Sequence, residues 1–222
     1  MSSPTPSRAR SMLSDFGGLN DALSAPFAAF LRAAVAGRDG HARFLNLLSL
    51  LEHIGSRKIM LSQMKGVLTQ DILKHLAEET RHAFFFKREA EKLAGRTIDG
   101  YAPDDTLAAA SGRLYFGRLD AGLTRGLAGE AGYLWVSLIV ELRALWVYRL
   151  YQQALDAAGL KLSLRGVIAE EDRHLEEMIA RLDALGFDAD ARLAPALALE
   201  QTLFRTLLAA LQAQAAPEPN PA

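Results

Sequence analysis

The hexapeptide Ala-Glu-Glu-Xaa-Arg-His occurs twice in this chain, at 77–82 and at 169–174. Each copy contains a Glu-x-x-His pair, Glu79/His82 and Glu171/His174. Residues three apart share one face of an α-helix, so each pair can grip one region of space together. A chain that uses both copies must bring two helices face to face. Composition agrees with helices. There are 38 Leu and 38 Ala against 6 Val and 7 Ile. Leu and Ala favour helix and β-branched residues favour strand. No alternating run bounded by turn signals is found, so the expected class is all-α.

Each pair follows a segment with one isolated acid. Glu52 is the only carboxylate between Asp39 and Asp71, and Glu141 the only one between Glu130 and Asp156. Both lie in apolar runs. A buried carboxylate without a partner costs several kcal/mol or takes up a proton. A metal is a partner that resolves this cost. Glu52 precedes Glu79, and Glu141 precedes Glu171, at spacings that an antiparallel helix hairpin brings to similar height.

Helical spacing and turn signals divide the chain. Residues 1–12 and 214–222 read as flexible ends around one domain over 13–213. Asp15 to Val35 reads as a weak helical entry segment, broken by Gly17, Gly18 and Pro26. Long helices are expected over His41–Met64, to about Leu93 with Thr69 as cap and Gly95 as stop, and over Leu127–Ala158. A further one runs from Ser163 to Gly186. Lys65 to Thr69 reads as a turn. Residues 96–126 form a long connection with a helix over Asp105–Leu123. A last amphipathic helix, Ala191–Ala213, packs outside.

With 25 basic and 26 acidic residues, the net charge of −1 argues against nucleic acid as a partner. The absence of Cys excludes disulfides, iron–sulfur clusters, Cys zinc sites and thiol catalysis. Any metal must be held by His and carboxylates. No targeting segment stands out. The longest apolar run, Ala131 to Tyr148, is interrupted by Glu141 and Arg143, which argues against a membrane span. The expectation is a cytoplasmic protein.

Four Glu and two His on four helices form the ligand set of ferritin-like di-iron carboxylate proteins. Over about 41–186 the chain resembles that superfamily, with Glu52, Glu79, His82, Glu141, Glu171 and His174 matching its ligands. The resemblance implies a ferritin-like four-helix bundle with a long crossover between helix pairs and extra N- and C-terminal helices. It implies two iron ions, with manganese plus iron also compatible. Glu79 and Glu171 would bridge them. Glu52 and His82 would complete one iron, Glu141 and His174 the other. In similar proteins an acid placed as Glu78 and Glu170 are holds a His ligand of the paired helix; the other reading pairs these acids with Arg81 and Arg173 at the surface. His75, four residues before Glu79, reads either as an extra ligand or, more simply, as a satisfied core or rim histidine. His53 points about 100° away from Glu52 and is not expected to ligate, and His41 carries no signal. Ser49, Gly55, Ser56, Ser137, Ala144, Leu145, Tyr148 and Phe86 lie where they can line a small apolar pocket, or are simply core. Tyr148 reads as a redox tyrosine or as packing.

The implied activity is an O2-dependent oxidase or oxygenase of hydroxylase type, acting on a small, largely apolar molecule with electrons from an external donor. A homodimer is compatible with this. Iron oxidation and storage, or peroxide detoxification, is the alternative. A non-catalytic helical module, its acids and histidines structural, accounts for the helices that carry Glu79/His82 and Glu171/His174 but not for Glu52 and Glu141 on apolar faces.

Overall fold

The computed structural model describes residues 7–62, 68–127 and 129–215. These form eight helices and no strand. They are α1 (Arg8–Leu19), α2 (Asp21–Ala36), α3 (Arg38–Ser62), α4 (Gln70–Ala94), α5 (Ala109–Leu123), α6 (Gly129–Ala157), α7 (Arg165–Ala184) and α8 (Ala189–Ala215). The all-α class is therefore found. α4 packs along α3 and α7 along α6, while α8 packs on α5 and α2 lies between α6 and α3.

The helix ends follow local chemistry. Thr69 caps α4, its hydroxyl accepting from the Ile72 N–H at 3.3 Å. Gly95 ends α4 at φ +70°, a conformation that L side chains rarely adopt. Most of the expected turn at 65–69, and Met64 before it, lie outside the described residues.

The N-terminal third differs from expectation. The stretch expected to be flexible already contains the start of α1, with Ser7 as its cap and Ala9 and Met12 buried. Arg8 ties it down through ion pairs to Asp183 and Asp190. The break after α1 falls at Asn20, not at Gly17, Gly18 or Pro26. The Asn20 side-chain amide and N–H both donate to the Phe16 carbonyl, at 2.8 and 3.2 Å. The first of these reinforces the last helical bond, and the Asn20 N–H also reaches the Gly17 carbonyl at 3.0 Å, the tightened i→i−3 pairing of a helix end. Pro26 lies inside α2. At the other end, Gln214 still belongs to α8, and its side chain accepts from the Ala108 N–H at 2.7 Å.

In the long connection, helix α5 starts at Ala109, four residues later than expected. The chain before it is pinned by α3 and α4. Asn46 donates to the Asp105 carbonyl at 3.0 Å and to Thr106 Oγ1 at 2.7 Å. Lys87 donates to the Gly100 carbonyl at 2.7 Å. These bonds satisfy backbone groups that a helix would otherwise pair.

Helix α6 is long and apolar enough to cross a membrane, but 78% of that apolar window is buried inside the protein, as in a core helix. The two charges inside the apolar run 131–148, Glu141 and Arg143, are buried with partners. The Arg143 guanidinium binds Glu200 twice, Nε at 2.8 Å and Nη2 at 2.6 Å. Nη2 also reaches Asn20 Oδ1 at 2.8 Å, and the Tyr115 hydroxyl donates to Glu200 at 2.7 Å. This network joins α5, α6, α8 and the α1–α2 junction. His41 is buried and hydrogen-bonded to the Tyr151 hydroxyl, linking α3 to α6; burial lowers its pKa to about 4.

Removing one member of a buried ion pair strands the other charge, at a cost of about 3–5 kcal/mol. Glu200→Ala is therefore expected to lower unfolding stability by about that amount in denaturant titration. A loss below about 1 kcal/mol, the level of an exposed pair, would contradict the assignment.

Candidate metal centre

Seven acidic and imidazole side chains converge between α3, α4, α6 and α7. Helix α3 supplies Glu52. Helix α4 supplies His75, Glu79 and His82, whose spacings of four and three residues keep all three on one face. Helix α6 supplies Glu141, and α7 supplies Glu171 and His174. All seven are buried. They form two groups able to hold a metal ion: Glu52, Glu79, His82 and Glu171, and His75, Glu79, Glu141 and His174. Within each group the ligand atoms lie within 4.8 Å of one another. Glu79 belongs to both. Glu171 faces both as well, with Oε1 2.9 Å from His82 Nδ1 and Oε2 2.7 Å from His174 Nδ1.

The histidines are oriented from outside. His82 Nε2 lies 2.7 Å from Glu170, and His174 Nε2 lies 2.8 Å from Glu78. Each acid of one hexapeptide holds the histidine of the other, which leaves both Nδ1 atoms turned inward. The same acids pair with arginines, Glu170 with Arg81 at 2.6 Å and Glu78 with Arg173 at 2.7 Å. Each of these acids thus contacts a histidine and an arginine together, with Glu78 buried rather than at the surface.

His75 is placed in the cluster, against the simpler expectation of a rim or core histidine. Its Nδ1 meets the Tyr133 hydroxyl at 2.6 Å, and its Nε2 faces Glu79 Oε1 at 3.3 Å and Glu141 Oε1 at 3.8 Å. The i,i+4 spacing to Glu79 was its signal. No sequence pattern marked Tyr133. The α7 position that corresponds to His75 is Val167, so the third imidazole breaks the symmetry of the repeat.

The set fits a metal on two grounds. Four buried atoms face one another in two pairs, His82 Nδ1 with Glu171 Oε1 at 2.9 Å and His75 Nε2 with Glu79 Oε1 at 3.3 Å, without the alignment of a hydrogen bond. Buried polar atoms are rarely left unpaired. Carboxylate oxygen and imidazole nitrogen also suit iron, manganese or zinc.

Four carboxylates crowd against three imidazoles, and proton affinities respond. Burial, and then the neighbouring acids, raise Glu52, Glu79 and Glu141 above the ordinary carboxylate range. Glu171 goes the other way, since the His174 hydrogen bond and the adjoining His82 imidazole overcome its burial. Burial alone would lower both histidines. Glu141 and Glu79 outweigh it at His75 and raise its pKa to about 12; Glu171 does so at His82, to about 10. The cluster without cations thus stores protons at neutral pH.

An apolar cavity of about 80 Å³ adjoins the cluster, with Glu52, Glu79 and Glu141 in its wall. Gly55, Ala144 and Tyr148 line it as expected. The Tyr148 hydroxyl donates to Glu52. Ser49 has another use, donating to the Ala83 carbonyl at 2.8 Å, and Ser56 donates to the His53 carbonyl at 3.0 Å. Phe86 and Leu145 are fully buried core. His53 stacks on Tyr101.

Metal ligands must be deprotonated to bind, so cations compete with these protons. Mn(II) titrated calorimetrically in buffers of different ionisation enthalpy is expected to release protons, and its affinity to rise with pH through neutrality. Affinity independent of pH, with no proton release, would contradict this picture of the cluster.

Compared with protein-family models, with curated proteins and with solved structures, the chain matches none.

Proposed function

We propose that this chain is a ferritin-like di-iron carboxylate oxidoreductase that uses O2 to oxidise a small, largely apolar molecule. On this reading α3, α4, α6 and α7 are the core bundle, 96–126 is the crossover, and the remaining helices wall the substrate pocket. The observation that carries the proposal is the pair of buried groups of acids and imidazoles that share Glu79, each with its ligand atoms within 4.8 Å of one another. Glu52, Glu79, His82 and Glu171 would hold one iron. Glu79, Glu141, Glu171 and His174, with His75 as a further nitrogen, would hold the other. When bound, iron supplies O2 reduction, so that one oxygen atom enters the substrate and the other leaves as water with two electrons from an external donor.

The protein's own contribution is positioning. Glu78 and Glu170 fix the ring orientation of His174 and His82, a role that typically tunes affinity about 10–100-fold. Tyr148 holds Glu52 from the cavity side through its hydroxyl. The apolar walls keep water from the reacting face, which strengthens every charge interaction inside. The cavity beside the cluster supports substrate oxidation rather than storage, which needs no such pocket.

The test is O2 uptake by anaerobically Fe(II)-loaded protein. Rapid uptake is expected, slowed at least about tenfold by Glu79→Gln, a ligand change in both groups. Iron loading should stop near the ligand capacity and particle size should stay that of a small oligomer. Loading of tens of irons per chain in a large shell would favour storage and sink the oxygenase reading.

A further inference from the structure

The two ligand groups that share Glu79 are unequal. Glu52, Glu79, His82 and Glu171 offer three carboxylates and one imidazole; His75, Glu79, Glu141 and His174 offer two of each. Glu171 lies against both hexapeptide histidines, Oε2 2.7 Å from His174 Nδ1 and Oε1 2.9 Å from His82 Nδ1. Counting it for both groups still leaves a difference of one imidazole, that of His75. The repeat puts His82 and His174 in matching places, whereas the position that matches His75 holds Val167. His75 is nevertheless built into the centre. It is buried, its Nδ1 is hydrogen-bonded to the buried Tyr133 hydroxyl at 2.6 Å, and its Nε2 faces Glu79 at 3.3 Å and Glu141 at 3.8 Å. A ring held at its outer nitrogen, with the inner one turned to carboxylates, is presented as metal-ligating histidines are. Its centroid lies 4.5 Å from that of His174, while the His82 and His174 centroids are 6.3 Å apart. Two imidazoles therefore stand together on one side of the centre and one stands on the other.

Donor type decides which cation prefers which side. Carboxylate oxygen suits manganese and magnesium, and imidazole nitrogen suits iron, nickel, copper and zinc. One more imidazole therefore favours these later cations over manganese. The outer groups do not cancel the difference. His82 and His174 each rest on a glutamate backed by an arginine, Glu170 with Arg81 and Glu78 with Arg173. Those two rings are matched, and His75 has no counterpart. We infer that the two positions select different divalent cations: the His75/His174 position takes zinc, or iron where manganese is the competitor, and the His82 position is the one left to manganese. The inference rests on the two-cation part of the reading above and not on its O2 chemistry.

The test uses the full chain with zinc and manganese alone. Ring-nitrogen NMR of its five histidines locates the first zinc. The first equivalent of Zn(II) is expected to shift His75 and His174, and the second to shift His82. Selectivity is read by filling both positions with Mn(II), adding Zn(II) in steps and following released Mn(II) by electron paramagnetic resonance. Both positions stay filled throughout, so repulsion between the cations cancels from the comparison. The first exchange is expected to be at least about tenfold more favourable than the second. His75→Gln should bring the two exchange constants to the statistical ratio of equal positions. His82→Gln takes the one nitrogen from the other side and should widen the gap; it decides the matter where His75→Gln loses its circular dichroism. A first zinc that shifts His82, equal exchange constants in the unaltered chain, or a ratio that neither variant moves overturns the inference. O2 uptake by Fe(II)-loaded samples of the same preparation is read alongside. Unequal exchange without O2 uptake removes the oxygenase reading and leaves the two unequal positions standing. O2 uptake with equal exchange does the reverse, and a chain that binds no cation overturns both.

Discussion

Burying Glu52, Glu79, Glu141 and Glu171 together is the constraint on which the rest of the structure depends. Four carboxylates taken out of water repel one another and each loses hydration worth several kcal/mol. The fold meets this with three imidazoles inside and with Glu78, Glu170, Arg81 and Arg173 around them. The surrounding groups orient the histidines but do not balance the inner acids. Protons do so in the cation-free chain, and on the proposed reading two metal ions do so in the working protein. On that reading the exchange of one for the other would make the site respond to metal and to pH.

The rigid surroundings serve that exchange. Glu141 must face inward from α6, and the same helix carries Arg143 on another side. Its pairing with Glu200 and Asn20 anchors α6 to α8 and to the α1–α2 junction. Asn46 and Lys87 hold the irregular start of the long connection against α3 and α4. The helices that bear ligands are thus fixed by polar contacts on their outer sides as well as by apolar packing.

Much of this was legible in the sequence. The repeated hexapeptide and the lone Glu52 and Glu141 pointed to one centre, and the structure brings those six side chains together. Helix stops at Gly95 and the cap at Thr69 were readable because each is a local interaction. Long-range partners were not. Nothing near Arg143 announces Glu200, 57 residues away, so the arginine read only as an interruption of an apolar run. His75 was undervalued because a single histidine on a helix face is usually structural; only Tyr133, on α6, fixes its ring toward the acids. The start of α1 was missed because its anchors, Asp183 and Asp190, lie at the far end of the chain.

On the proposed reading the acids and imidazoles form one two-metal site. Anaerobic loading with Fe(II), removal of loosely bound iron and elemental analysis test it most directly. About two irons per chain are expected, falling well below one in Glu79→Ala, because that residue belongs to both groups. A ratio near zero in the unaltered chain would contradict it and leave a helical module whose buried acids are held by protons alone.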